Sequence, residues 1–242
     1  RANGDARGAL NLLEAAAAGT PDGEEVTGES VRAASGGRAV VYDREGDAHY
    51  DTISAFIKSL RASDPDAAIY YLAVMIAGGE DPKFIARRLI VAASEDVGNA
   101  DPRALEVAVA AARAVEFVGL PEARINLAQA TTYIALAPKS NASYAAINAA
   151  QALIEREGAR RPPLALRDAS RANARNLGHG EGYRSPHDSA DGVLDDSLLP
   201  EGLEEASFFR PTDRGPEGEL SARLRELRGG ARGEAEAGEQ PF

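Results

Sequence analysis

Apolar residues recur at helical spacing through the middle of the chain. Ile69, Leu72, Ala73 and Ile76 form one stripe, and Ile85, Leu89 and Ala92 a second that Arg88 interrupts. Leu105, Val109, Ala112 and Val115 form a third. This spacing of three and four residues is that of one helix face. Each stripe follows an Asp-Pro pair: Asp64-Pro65, Asp81-Pro82 and Asp101-Pro102. An aspartate before a helix accepts the orphan N–H groups of the first turn. Proline suits the first helical position because its missing N–H would be unpaired there. Glycines follow at Gly78-Gly79, Gly98 and Gly119, where left-handed caps are expected.

The same pattern predicts helices over His49–Arg61, Pro121–Ala137 and Asn141–Glu157, the last closed by Gly158. Upstream it predicts a helix over Arg7–Ala18 stopped by Gly19, and a short one over Glu29–Ala34 capped by Thr27. Residues 38–42 are expected to be an extended linker. After Gly158 the pattern breaks at Arg161-Pro162-Pro163, and residues 177–211 are rich in Gly, Pro, Asp and Ser with isolated apolar anchors. They are expected to be an ordered loop wrapping the helices. A last helix is predicted over Pro216–Arg228, and a disordered tail over residues 229–242. The fold class is therefore all-α, and the abundant alanine lets helix axes approach closely.

Composition narrows the chemistry. The 242 residues include no cysteine, which excludes disulfides and thiolate chemistry and fits a reducing cytoplasm. No apolar run is long enough to predict a membrane span. The chain starts at Arg1 and its one methionine is Met75, so it reads as a piece of a longer protein. Thirty-eight acidic against 27 basic residues give a formal charge of −11, a poor balance for general nucleic-acid binding. One segment runs the other way. Residues 156–184 carry Arg156, Arg160, Arg161, Arg167, Arg171, Arg175 and Arg184 against Glu157, Asp168 and Glu181. They are candidates for contact with phosphate or an acidic partner, or for pairing with acids of the same fold.

A phosphate-binding P-loop needs Gly-Lys-Ser/Thr after an upstream glycine. Lys58-Ser59 and Lys139-Ser140 follow Ile57 and Pro138 instead, and both read as helix-side surface. The chain is therefore not expected to hydrolyse ATP alone. Gly178-x-Gly180-x-Gly182 reads as turn chemistry, since no strand precedes it. His179 and His187, with Glu181 and Asp188, lack a metal-ligand spacing; polar loop groups bonding to backbone are the expected reading, and a metal-dependent hydrolase is a distant alternative. Asp43-x-Glu45-x-Asp47 lacks the Gly and Glu of a calcium loop, and helix capping by Asp47 accounts for it better.

Several blocks together resemble one family. They are Gly4-Asp5-Ala6-Arg7 with Ala9–Glu14; His49–Arg61; Ala93–Pro102; Ala137–Asn141; Leu177–Gly180 with Tyr183; and Pro211–Gly215. These resemble the replication-associated recombination protein A (RarA/MgsA) family of AAA+ ATPases, which includes the Werner-helicase-interacting proteins. The resemblance implies residues 1–45 as the end of the AAA+ helical lid with a linker. It implies residues 46–214 as a clamp-loader-collar-like oligomerisation domain, with helices to about residue 158 and a loop-rich wrap over 159–214. Residues 215–242 are then a short helix and acidic tail. It implies a tetramer, a nucleoid-associated cytoplasmic parent that uses ATP and Mg, and partnership with single-stranded, gapped or forked DNA and with single-stranded-DNA-binding protein. No cofactor is expected in this piece. Arg7 corresponds to the sensor-2 arginine, which reaches the γ-phosphate from the lid. Gly8 departs from the pattern, and a glycine inside a helix costs about 1 kcal/mol relative to alanine. The alternative architecture is an α-solenoid binding scaffold, whose helices would share internal sequence; these share only their caps.

Overall fold

The computed structural model describes residues 6–21, 23–34, 47–189, 192–194 and 197–232. The described residues form helices and turns and no strand, so the fold is all-α. No helix among them is long and apolar enough to cross a membrane. The chain divides into two units: residues 1–93 with 104–136, and residues 94–103 with 137–242.

The first unit holds α1 (Ala6–Ala18), α2 (Gly28–Ala34), α3 (Asp47–Arg61), α4 (Pro65–Ala77), α5 (Pro82–Ala92), most of α6 (Arg103–Val118) and α7 (Ala123–Leu136). The expected caps are present. Asp64 Oδ1 accepts from the Ala67 N–H at 2.9 Å, Asp81 Oδ1 from Lys83 at 2.9 Å and Asp101 Oδ1 from Arg103 at 3.1 Å. Thr27 Oγ1 accepts the Ser30 N–H at 3.3 Å, so α2 starts where its cap predicts. Gly79 and Gly119 have φ of 77° and 73° and close α4 and α6 in the left-handed region. The core is Phe56 and Leu60 of α3, Leu72 and Met75 of α4, Ile85 and Leu89 of α5, and Leu127 and Ile134 of α7. Alanines at 68, 86, 104, 108 and 130 are buried beside them and let the helices close in.

The packing order argues against a solenoid. There each repeat touches its neighbours in sequence. Here α4 and α3 both pack on α7, which follows three helices after α4 and four after α3. This is a bundle, and the scaffold reading is set aside.

The second unit holds a π-helical turn, α8 (Ala142–Glu157), a one-turn helix α9 (Ala172–Asn176), three short 3-10 turns and α10 (Glu217–Arg232). Two expectations change here. The second apolar stripe does not run as α-helix to Gly98: α5 ends at Ala92, and Ala93–Val97 form the π-helical turn, followed by a 3-10 turn over Gly98–Ala100. The last helix does not stop at Arg228, since residues 229–232 belong to α10; the rest of the tail lies outside the described residues. The described residues of 177–211 are irregular apart from a 3-10 turn at Pro186–Asp188. Leu199, Pro200, Leu203 and Phe208 close a cavity of about 200 Å³ with Leu153 and Ile154 of α8. The predicted linker 38–42 and the Asp43-x-Glu45 pair lie outside the described residues.

Candidate functional site

Three of the resemblance-bearing blocks, far apart in sequence, meet in the second unit. The block around Asp96 supplies a π-helical turn, a rare geometry that recurs at functional positions. The Asp96 carbonyl accepts the Ser140 N–H at 2.9 Å. Asn99 Nδ2 donates to Ser143 Oγ at 3.3 Å. The third block closes the junction: an Arg214 Nη1 donates to the Lys139 carbonyl at 3.0 Å.

Two glycines make this approach possible. A Cβ on Gly98 would lie 2.9 Å from the Ser140 carbonyl oxygen. A Cβ on Gly215 would lie 2.3 Å from the Ala100 carbonyl oxygen and 3.0 Å from the Pro138 ring. Both also have positive φ, 53° and 52°, which side chains other than glycine rarely adopt.

The buried polar groups at the junction are unusual. Glu217 is 0% exposed. Its Oε2 accepts from the Thr212 N–H at 3.0 Å and the Thr212 hydroxyl at 2.6 Å. Its Oε1 is buried with no hydrogen-bond partner among the described residues. Asp96 is buried too, and its charge faces Lys139. Burial pushes the Lys139 ammonium below the ordinary lysine range, and the Asp96 charge pulls it partly back. Most hydrogen bonds of this cluster have a backbone atom as donor or acceptor. That suits it to hold three chain segments in register.

The reading of the two Lys-Ser pairs as surface holds for Lys58, which is exposed, and is corrected for Ser59, Lys139 and Ser140. Ser59 is buried and its hydroxyl donates to the Ala55 carbonyl at 2.8 Å. Ser140 is buried, and its hydroxyl oxygen accepts the Ala142 N–H at 3.2 Å to start α8. Lys139 is half-buried, with its ammonium on the Ala137 carbonyl. A small hydroxyl two residues before a helix was the available signal for Ser140. Glu217 carried little signal, because an acid in a first helical turn is ordinarily solvent-facing.

The other candidates fall as follows. Arg7 lies in the first turn of α1, and its side chain is outside the described residues. Arg156 and Arg160 both reach Glu157, at 2.8 and 2.9 Å, and Arg160 also donates to the Glu201 carbonyl at 2.8 Å. The two guanidinium groups, Arg156 foremost, hold the Glu157 carboxyl below the usual range. Arg167 Nε donates to the Pro162 carbonyl at 2.8 Å. Arg161, Arg171 and Arg175 are exposed. In the loop, His179 Nδ1 lies 3.3 Å from the Asp168 carbonyl oxygen, and the His187 N–H bonds Ser185 Oγ at 3.3 Å. Among the described residues no three His, Asp or Glu side chains converge as a metal site would require. Gly178, Gly180 and Gly182 all have φ near 78°, the turn role expected of them.

Residues 62–228 match the family described as MgsA AAA+ ATPase C terminal, and residues 1–61 match AAA C-terminal domain. An uncharacterized AAA domain-containing protein of Mycobacterium tuberculosis is 50% identical over 228 residues, covering 94% of this chain and 50% of that protein. Replication-associated recombination protein A of Escherichia coli is 43% identical over 231 residues, covering 92% and 51%. ATPase WRNIP1 of Dictyostelium discoideum is 37% identical over 172 residues, covering 71% and 20%. The chain spans about half the length of the two bacterial relatives.

Proposed function

This chain belongs to the MgsA AAA+ ATPase C-terminal family, and on that premise we propose that it is the lid end and oligomerisation region of a DNA-dependent AAA+ ATPase. The parent works in replication-fork maintenance, recombination and repair. Its nucleotide and Mg are bound by a P-loop core upstream, and this region is not catalytic by itself. In that reading residues 1–45 finish the lid, and Arg7 senses the γ-phosphate from α1. Residues 46–214 form the collar-like oligomerisation domain, and residues 215–242 add a helix and acidic tail. Single-stranded, gapped or forked DNA and single-stranded-DNA-binding protein are the partners of the nucleoid-associated parent.

The observation that carries the oligomer is the unpartnered apolar surface of the first unit. Ile125 and Leu136 are exposed on α7, within roughly 20° of one another at 100° per residue. Leu105 and Val109 are exposed on α6, and Phe117 is 94% exposed at its end. Exposed large apolar side chains on these helices are the kind of surface through which chains associate. Sedimentation velocity at micromolar concentration tests the reading. It predicts a tetramer, reduced to smaller species by Ile125→Glu with Phe117→Glu. A sharp monomer boundary for the unaltered chain would count against it.

A further inference from the structure

We propose that the segment from Arg161 to Tyr183 is a direct contact for single-stranded nucleic acid, with Arg161, Arg171 and Arg175 on phosphates and Tyr183 stacked on a base. The proposal rests on the DNA reading above and adds its site within this chain.

The structure divides six of the seven candidate arginines into three groups. Arg156 and Arg160 are committed to Glu157. A Cβ on Gly202 would lie 2.5 Å from Arg160 Nη1, so that guanidinium is packed as a strut between α8 and the 197–204 strap. Arg161, Arg171 and Arg175 are exposed and make no ion pair or side-chain hydrogen bond with the described residues. Arg167 is intermediate, since its Nε is used on Pro162.

The free three project from a cross-braced platform. The Leu164 carbonyl accepts the Gly180 N–H at 2.8 Å and the Arg167 N–H at 3.1 Å. The Ala174 carbonyl accepts the His179 N–H at 3.1 Å. The Asp168 carboxylate takes the Ser170 N–H and hydroxyl at 2.9 and 2.7 Å, which holds it below the ordinary range. A Cβ on Gly180 would lie 2.8 Å from the Ala169 Cβ, so the two loops touch there. The platform is braced by its own backbone and by Asp168, while the Arg161, Arg171 and Arg175 side chains make no bond to it.

In a chain of formal charge −11, uncompensated guanidinium groups gathered on one braced segment mark the place where a polyanion meets least repulsion. Two polyanions would fit the charge, a nucleic acid and an acidic peptide. The exposed aromatic ring favours the first. Tyr183 is 58% exposed and Leu177 is 70% exposed on the same segment. An exposed aromatic ring on a basic segment is what an unpaired base can stack on, whereas a glutamate-rich peptide gains nothing from it.

The test is fluorescence anisotropy of a labelled oligothymidine with this chain at several salt concentrations. The unaltered chain should bind. The triple variant Arg161→Gln, Arg171→Gln, Arg175→Gln should lose at least tenfold in affinity. Its log–log salt slope should be shallower by about 2, since each phosphate contact on a single strand contributes about 0.7. Tyr183→Ala should weaken binding about tenfold with the slope unchanged, the loss expected for one stacked base. Arg113→Gln with Arg223→Gln, exposed arginines elsewhere, should bind as the unaltered chain does. Circular dichroism confirms that each variant is folded, and triple replacement by lysine should restore the slope. Equal affinity for the glutamine triple and the unaltered chain overturns the site while leaving the DNA reading intact. No binding by this chain, with binding retained by a longer protein carrying the ATPase core, does the same. No binding by either removes both. Capture of a polyglutamate peptide and not of DNA assigns the segment to an acidic protein partner and overturns the proposal.

Discussion

The two units are held together by different means. In the first, helices meet through alanines and a buried set of Phe, Leu, Ile and Met. In the second, three loop blocks meet through glycines without room for a Cβ, a buried glutamate and a half-buried lysine. An apolar core depends on volume and tolerates exchange of one aliphatic group for another of similar size. A junction of close backbone approaches and paired polar atoms depends on particular residues. Two of the family-resembling blocks, Ala137–Asn141 and Pro211–Gly215, lie at this junction, while a third, His49–Arg61, lies in helix α3 of the first unit.

The contrast makes graded predictions. Phe56→Ala should cost the most, about 3–5 kcal/mol, the usual loss for a large ring deleted from a packed core; thermal unfolding measures it, and a loss below 1 kcal/mol would show that the first unit is not volume-limited. Gly215→Ala should cost about 1–3 kcal/mol through its positive φ alone, and more through the contact with Ala100, although it adds only a methyl group. Glu217→Ala should cost about 1–3 kcal/mol by stranding the Thr212 N–H and hydroxyl, and urea titration distinguishes this from a surface replacement such as Glu219→Ala. Asp81→Ala should cost about 1 kcal/mol as a lost N-cap of α5.

The smallest effect belongs to Glu157. Its carboxyl is held below the ordinary range chiefly by the hydrogen bond from Arg156. A depressed carboxyl contributes stability above its unfolded pKa and loses it as pH falls through the folded value. Carboxyl NMR should place its titration below the usual glutamate value, and Arg156→Gln should move it up. No movement would show that this exposed pair is not formed in solution.

Much of the fold was legible because local chemistry and long-range packing agreed. Asp64, Asp81 and Asp101 announced helices, and Gly119 and Gly158 ended helices where their φ required it. The third expected stripe is corrected, because Leu105 and Val109 are exposed and α6 buries Ala104, Ala108, Ala111 and Val115. The π-helical turn was not legible, since Ala93–Val97 continues a good helical pattern and only contact with residue 140 distinguishes it. Gly98 was read as a cap. Its positive φ fits that, but its closest constraint is Ser140, 42 positions away and outside any local window. Glu217 was hidden for the same reason, because nothing near it in sequence says that a first-turn acid will be covered. The basic segment was visible as charge. Which of its arginines were spoken for depended on Glu157 and on Glu201, an acceptor 41 positions from Arg160.

Hydrogen exchange at single residues tests most directly the claim that separated blocks form one junction. The Ser140 amide, bonded to the Asp96 carbonyl, is its reporter. In Gly215→Ala, a change made 75 positions away, Ser140 should lose at least tenfold in protection while amides of α7 such as Leu127 and Ile134 keep theirs. Undiminished protection at Ser140, or an equal loss at Ile134, would contradict it.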